Sequence, residues 1–280
     1  MIAICPNPFR DSELKYTMQA AEMLRAAGYE TAICPVFAED APQMIPEDIK
    51  AATLDVVLRR CSLVVVIGGD GTILSAARQL HNADIPILGV NLGSKGFMAA
   101  LEPEHMQLIV KAAAGEYTVS RRMMLDIELE RGGEIIYRDK ALNDVVLHGY
   151  GDCIRLTAWC AGDRITSFSG DGIILSTPTG STGYSMSAGG PIEPEASAII
   201  VSPICAHMMS ARSYVLSASH DVSVLAEKLH GRRAYISVDG NSVMDLTNGD
   251  LLRVRRSERC ILMADMGLKS FFDLAFEKLT

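Results

Sequence analysis

The stretch Val64-Val65-Val66-Ile67-Gly68-Gly69-Asp70-Gly71-Thr72-Ile73-Leu74-Ser75-Ala76-Ala77 constrains the fold more than any other. Its unbroken run of β-branched apolar residues suits a parallel strand covered on both faces. Helical spacing resumes directly after the glycines, so the segment reads as strand, tight turn and helix. In an open parallel sheet, ligands bind at the carboxyl ends of strands, where this turn lies. Glycine permits unusual dihedrals and close approach of a ligand. The N–H groups that open the following helix attract phosphate oxygens. An aspartate in the same turn repels phosphate. It needs a cation in between, or a hydroxyl proton to accept, and both are demands of phosphoryl transfer. The competing reading is a plain turn with Asp70 as helix cap. The pentapeptide alone leaves the two open.

The surroundings set the fold class. Residues 1–5, 29–37, 62–67 and 85–91 read as strands, and residues 74–80 and 104–114 as helices. A further helix runs from Asp11, its cap, to Gly28, with Leu14, Met18, Ala21 and Leu24 on one face. Pro46 with Glu47 and Asp48 marks another helix start, and Arg59 and Arg60 suit its negative end. Alternating strands and helices predict a Rossmann-like α/β domain over residues 1–120. Beyond it, strand patterns follow one another at 125–130, 135–138, 154–160, 173–176, 198–202, 222–226, 234–238 and 251–255. Arg131-Gly132-Gly133, Ala161-Gly162-Asp163 and Asn248-Gly249-Asp250 supply turns between them. This predicts an antiparallel β-rich, sandwich-like domain over 121–260. Residues 261–280 read as a strand and a helical tail that returns to the first domain.

Bulk properties exclude several function classes. A length of 280 residues allows two domains. A net charge of −8 argues against a nucleic-acid partner. No apolar run approaches the ~20 residues that span a bilayer, and the N-terminus has no basic region before its apolar residues, unlike a signal peptide. The seven cysteines form no CxxC pair, so neither a zinc site nor a disulfide framework is indicated. A cytoplasmic protein with reduced thiols and no membrane association is expected.

A second segment favours the functional reading of the first. In Ser169 to Gly190, 22 positions hold six Gly, five Ser and three Thr. A linker would not carry Ile173-Ile174-Leu175, Pro178 and Tyr184 in its midst. The segment reads as a strand followed by a loop rich in hydroxyls and bare N–H groups, suited to a nucleotide, with Tyr184 able to stack on a base. Asn143-Asp144 stands at the edge of the strand that holds Val145-Val146-Leu147, and Asp239-Gly240 reads as a hairpin turn. Neither GxxxxGK[ST] nor GxGxxG occurs.

Together these motifs resemble the NAD kinase family: Gly68 to Thr72, Gly89 to Phe97, Asn143-Asp144, Asp171-Gly172, Ser176 to Tyr184, Ser187 to Ile192, and Asp239-Gly240, in family order over nearly the whole chain. The long Ser-Thr-Pro-Thr-Gly-Ser-Thr segment is the specific one. Diacylglycerol-type lipid kinases share the first turn and remain an alternative, as does a non-catalytic NAD sensor. The resemblance implies transfer of a phosphate from ATP, or polyphosphate, to the 2′-hydroxyl of the adenosine ribose of NAD, with Mg2+ or another divalent cation whose ligands are not assigned. It implies a homodimer or homotetramer with shared sites. By position, it gives Asp70 the catalytic role. It assigns Gly68, Gly69, Gly71 and Thr72 to phosphate and Leu74 and Phe97 to the adenine. Asn143 and Asp144 would hold adenosine, with Thr179, Thr182, Gly183, Tyr184 and Ser187 completing the NAD pocket. Asp171 and Ala206 would face the nicotinamide. Asp144 stands where the family has glutamate, Gly183 where it has alanine and Lys95 where it has leucine. His207 is read as structural.

Overall fold

Five apolar residues in a row have both faces to bury, and they do so as strand β1 (Ile2–Pro6), flanked by β2 (Thr31–Ile33) and β3 (Leu63–Gly68). The computed structural model describes residues 1–36, 51–80, 84–93, 96–208 and 210–279. The chain divides into two units, Met1–Arg122 with Ile261–Thr280, and Met123–Cys260.

In the first unit the strand order is β2-β1-β3-β4, with β4 at Ile87–Asn91, and every pairing is parallel. Met263, in the final strand of the chain, pairs in parallel with Ile87. Helix α1 (Lys15–Ala26) starts three residues later than the Asp11 cap predicts, because Glu13 and Leu14 take left-handed conformations. Asp11 nevertheless acts as its cap. Its carboxylate accepts the N–H groups of Tyr16 and Thr17 (each 2.9 Å) and the Thr17 hydroxyl (2.6 Å). Gly28, at φ +88°, ends the helix.

Strand β2 is shorter than the predicted 29–37. Phe37 and the Pro46–Asp48 helix start lie outside the described residues. Helix α2 (Leu54–Val57) continues as a 3-10 turn through Arg59 and Arg60. Helix α3 is Asp70–Leu80. The pattern at 104–114 splits into a 3-10 turn, Pro103–His105, and α4 (Leu108–Ala113). Ile2, Ile4, Leu24, Val65, Ile67, Val90 and Ile109 share one fully buried core.

The second unit is antiparallel. Strand β5 (Thr118–Arg131) enters from the first unit and turns at Gly132-Gly133 into β6 (Glu134–Ala141). There follow β7 (Asp144–Gly149), β8 (Ile154–Cys160), β9 (Asp163–Gly170), β10 (Gly172–Ser176) and the short helix α5 (Tyr184–Ser187). Then come β11 (Ala198–Ile204), β12 (Tyr214–Ser217), β13 (Val222–Glu227), β14 (Ala234–Val238), β15 (Asn241–Asp245) and the long β16 (Leu251–Asp265). One sheet runs β12-β11-β10-β7-β14-β15, and another set pairs β16-β13-β8-β9.

Leu147, Leu156, Phe168, Leu175, Val201 and Val224 sit in one core drawn from both. Strands β9, β12 and β15 have no counterpart in the sequence patterns. They are largely polar or edge segments, and pairing rather than apolar periodicity makes them strands. Residues 261–280 belong to the first unit and end in a helix, Phe271–Leu279.

Candidate active site

In the first unit, β1 connects outward to β2 and the chain then returns to β3 on the other side. The carboxyl ends of β1 and β3 therefore flank a topological switch point, the place where open α/β sheets bind ligands. Asn7 and Arg10 follow β1 there, and Gly68-Gly69-Asp70 follows β3. Gly68 must be glycine: a Cβ on it would lie 2.4 Å from the Thr72 hydroxyl. That hydroxyl accepts from Asn7 Nδ2 at 3.0 Å, and Thr72 is buried, so its side chain braces the turn from within. Gly71 is exposed at the helix N-terminus, with nothing within 4 Å of where its Cβ would stand. A phosphate can approach the backbone closely there.

Asp70 opens α3, yet its carboxylate does not cap that helix. It reaches to the segment after β4, accepting the N–H groups of Phe97 (2.8 Å) and Met98 (3.1 Å). Burial raises its pKa. The two N–H groups and the charge of Lys278 oppose the rise without cancelling it. The carboxylate is thus held by two donors, with lone pairs remaining for a substrate hydroxyl. Leu74 is half-buried on α3. Phe97 is half-buried with the Phe271 ring 6.1 Å away. Lys95 lies outside the described residues.

The second unit holds the remaining predicted residues. Asn143 and Asp144 are fixed through their backbone. The N–H groups of Leu142, Asn143 and Asp144 all donate to the Asp239 carboxylate, at 2.9, 2.7 and 3.1 Å. Asp239 and Gly240 are both left-handed, at φ +47° and +79°, as a tight hairpin turn requires. The sequence marks this turn but not its second task. On the other side, the Thr177 hydroxyl donates to the Leu142 carbonyl (2.6 Å) and its N–H to the Asn143 carbonyl (2.8 Å). A Cβ on Gly180 would lie 2.2 Å from that Asn143 oxygen.

The side chains are less satisfied than the backbone. Asn143 Oδ1 and Ser176 Oγ are buried without a partner among the described residues. Asp144 is 6% exposed, and its carboxyl accepts no hydrogen bond from them. Burial, and then the Asp239 charge, push its pKa up to about 7.

The predicted hydroxyl-rich loop is in fact two helical turns, Thr179–Thr182 and α5. Winding sorts its side chains. Ser176, Thr177, Ser181 and Ser185 are fully buried and bond inward, apart from the unpartnered Ser176 hydroxyl. Thr179, Thr182, Gly183, Tyr184 and Ser187 lie on the accessible side.

Tyr184 is 41% exposed and stacks at 22° on His148, 6.5 Å away. The row continues from His148 to Tyr235 and Tyr150, an aromatic surface the sequence reading missed because it assembles from β7, β14 and α5. Asp171 is half-buried and bonds the Cys205 thiol, which raises the pKa of that thiol. Ala206 lines a cavity of about 480 Å³ with Ala188, Gly189, Pro203 and Arg212. His207 is exposed; its backbone N–H donates to the Ser169 carbonyl, and its Nδ1 lies 3.8 Å from Cys153 Sγ.

The chain is similar to known proteins over both of its units. The profile of the ATP-NAD kinase N-terminal domain matches residues 2–117, and that of the ATP-NAD kinase C-terminal domain matches residues 120–265. An NAD kinase of Acetivibrio thermocellus is 35% identical over 277 residues, 98% of this chain and 94% of its own. One from Geobacter metallireducens is 40% identical over 222 residues, 78% of each chain. Among solved structures, yeast NADH kinase complexed with NADH superposes with a TM-score of 0.85 at 26% identity, covering 99% of this chain and 86% of the other. An NAD kinase from Archaeoglobus fulgidus in complex with ATP gives a TM-score of 0.76 at 25% identity, covering 100% and 99%.

Proposed function

Because the chain belongs to the NAD kinase family and phosphorylates NAD with ATP as donor, we propose that Asp70 is the residue that accepts the proton of the attacking ribose hydroxyl. The observation that carries this reading is the grip of Phe97 and Met98 on the Asp70 carboxylate at the β1/β3 switch point. A carboxylate fixed by two N–H donors loses little rotamer freedom when a hydroxyl arrives, so orientation does more here than basicity. The 2′-oxygen of the adenosine ribose attacks the γ-phosphorus of ATP, its proton passes to Asp70, and ADP leaves. Gly69 and Gly71 leave the backbone open to phosphate at the start of α3, whereas Gly68 and Thr72, expected there too, are packed inside the turn.

Asn143 and Asp144, clamped by Asp239 and Thr177, present unpaired polar atoms to the adenosine hydroxyls. In the first unit Leu74 and Phe97 supply apolar surface for the adenine, and in the second Thr179, Thr182, Gly183, Tyr184 and Ser187 offer accessible groups to NAD. Asp171 and Ala206 face the nicotinamide end of an NAD bound with a neighbouring copy in a homodimer or homotetramer, a state that light scattering checks. Among the described residues no cluster of His, Cys, Asp or Glu is placed to hold a cation. Magnesium in this reading arrives with ATP, as part of the substrate. No helix among the described residues is long and apolar enough to cross a membrane, and the scattered cysteines support a cytoplasmic location.

Family membership over both units supersedes the lipid-kinase alternative left open by the first turn. The test is NADP formation from NAD, ATP and magnesium, read by an NADP-specific dehydrogenase. Product that disappears in Asp70→Asn is the expected result. Product with polyphosphate alone changes the donor. No product with either donor, while NAD still binds, returns the protein to an NAD sensor.

A further inference from the structure

The C-terminal helix is built the wrong way round for simple packing. Ser270 and Asp273 cap its start reciprocally, the Ser270 hydroxyl accepting the Asp273 N–H at 3.1 Å and the Asp273 carboxylate accepting the Ser270 N–H at 3.0 Å. Its half-buried face is Phe271, Leu274, Ala275 and Lys278, at i, i+3, i+4 and i+7. Phe272 and Phe276 point outward, 67% and 73% exposed, while the Lys278 side chain is held to 12%. Burying a lysine costs free energy unless it is paired. An apolar residue in its place would stabilise the helix at least as well as a buried ion pair does. The position of this charge therefore calls for another reason.

Its partners supply one. Lys278 Nζ lies 3.3 Å from Glu102 Oε1. Both Glu102 oxygens are 3.2 Å from Asn91 Nδ2. Asn91 in turn holds the chain after β4, donating to the Gly93 carbonyl (2.7 Å) and accepting the Gly93 N–H (3.0 Å). Its Oδ1 and Asp70 Oδ1 stand equally close, 3.0 Å, to where a Cβ of Gly96 would be. Gly96 leads directly to the two N–H groups that grip Asp70. Phe271, on the same helix face as Lys278, packs near Phe97.

From this network we infer that Lys278 is a positioning residue for phosphoryl transfer, acting through Glu102 and Asn91 on the segment that holds Asp70 and placing a positive charge beside that carboxylate. The inference rests on Asp70 being the proton acceptor. Among the described residues Lys278 is the charge that reaches the Asp70 carboxylate; Glu102 pairs with that lysine, and the Arg10 guanidinium is 3.9 Å from where a Cβ of Gly69 would stand. Asp273 and Glu277 lie on the exposed side of the helix, and Lys269 is exposed in the turn before it.

The experiment compares wild type, Lys278→Met, Lys278→Arg and Glu102→Gln in the full chain, measuring NADP formation from pH 5 to 9 with NAD binding alongside. Wild-type turnover establishes the parent reading independently. Lys278→Met is expected to lower kcat on the order of tenfold at the acid end with KM for NAD nearly unchanged, and to move the acid limb to higher pH. Lys278→Arg restores the limb. Glu102→Gln removes the opposing charge and moves it to lower pH. A merely structural ion pair would make Lys278→Met and Glu102→Gln behave alike. Limbs that move together, or not at all, in folded variants overturn the proposal.

Discussion

The two carboxylates, Asp70 in the first unit and Asp144 in the second, are both largely buried, yet their surroundings differ in kind. Asp70 accepts two backbone N–H groups and feels a lysine, so part of the cost of burying its charge is offset before any ligand arrives. Asp144 has no donor among the described residues, and its backbone N–H is tied to a second carboxylate, Asp239. Its pKa accordingly rises to about 7. One place keeps an acceptor aimed by two donors. The other keeps an acid short of donors that ribose hydroxyls can supply. Chemistry needs the former and recognition can use the latter, because a ligand that satisfies a starved polar group gains affinity and specificity from it.

The contrast can be tested directly. Asp70→Asn is expected to lower kcat by about 10²–10⁴-fold with the dissociation constant for NAD nearly unchanged. Asp144→Asn is expected to weaken NAD binding by about tenfold with a smaller change in kcat. If both variants changed the same parameter, the division of labour would be wrong. Next in size is Gly180→Ala. The added methyl meets the Asn143 carbonyl and should destabilise the second unit by about 1–3 kcal/mol, read as a fall in Tm together with weaker NAD binding.

A pH titration of stability separates the acids further. Asp144 has a raised folded pKa, so its contribution is present below about pH 4 and is lost as pH rises towards 7. Asp144→Asn should therefore gain on the order of 4 kcal/mol over wild type above pH 7 and nothing near pH 4. Denaturant unfolding at the two pH values reads this directly, and a gain independent of pH would remove Asp144 as its source. Smallest is Tyr184→Ala, expected to raise KM for NAD a few-fold through lost stacking. Fluorescence-monitored NAD binding would detect it, and unchanged affinity would take the aromatic row out of the site.

Much of this molecule is legible in its sequence, and the legible parts share a physical cause. The strand ending at Gly68, the helix after it, and the strand at 154–160 declare themselves because apolar periodicity and glycine placement are local signals. The Ser176 to Tyr184 segment is equally visible as composition. Its sorting into an inward set and an outward set is not, because that depends on how two helical turns pack against β10. Strands β9, β12 and β15 escape notice since neighbours, not their own residues, make them strands.

What the sequence by itself determined is an α/β part followed by a β-rich part, with Asp70, Asn143 and Asp144 as candidates for its site. Tertiary structure alone decided what each of them feels. Asp239 lies about a hundred residues from the backbone it anchors, and Lys278 about two hundred from the carboxylate its charge reaches. Electrostatics and hydrogen bonding depend on distance in space, which the fold sets and the spacing of letters does not.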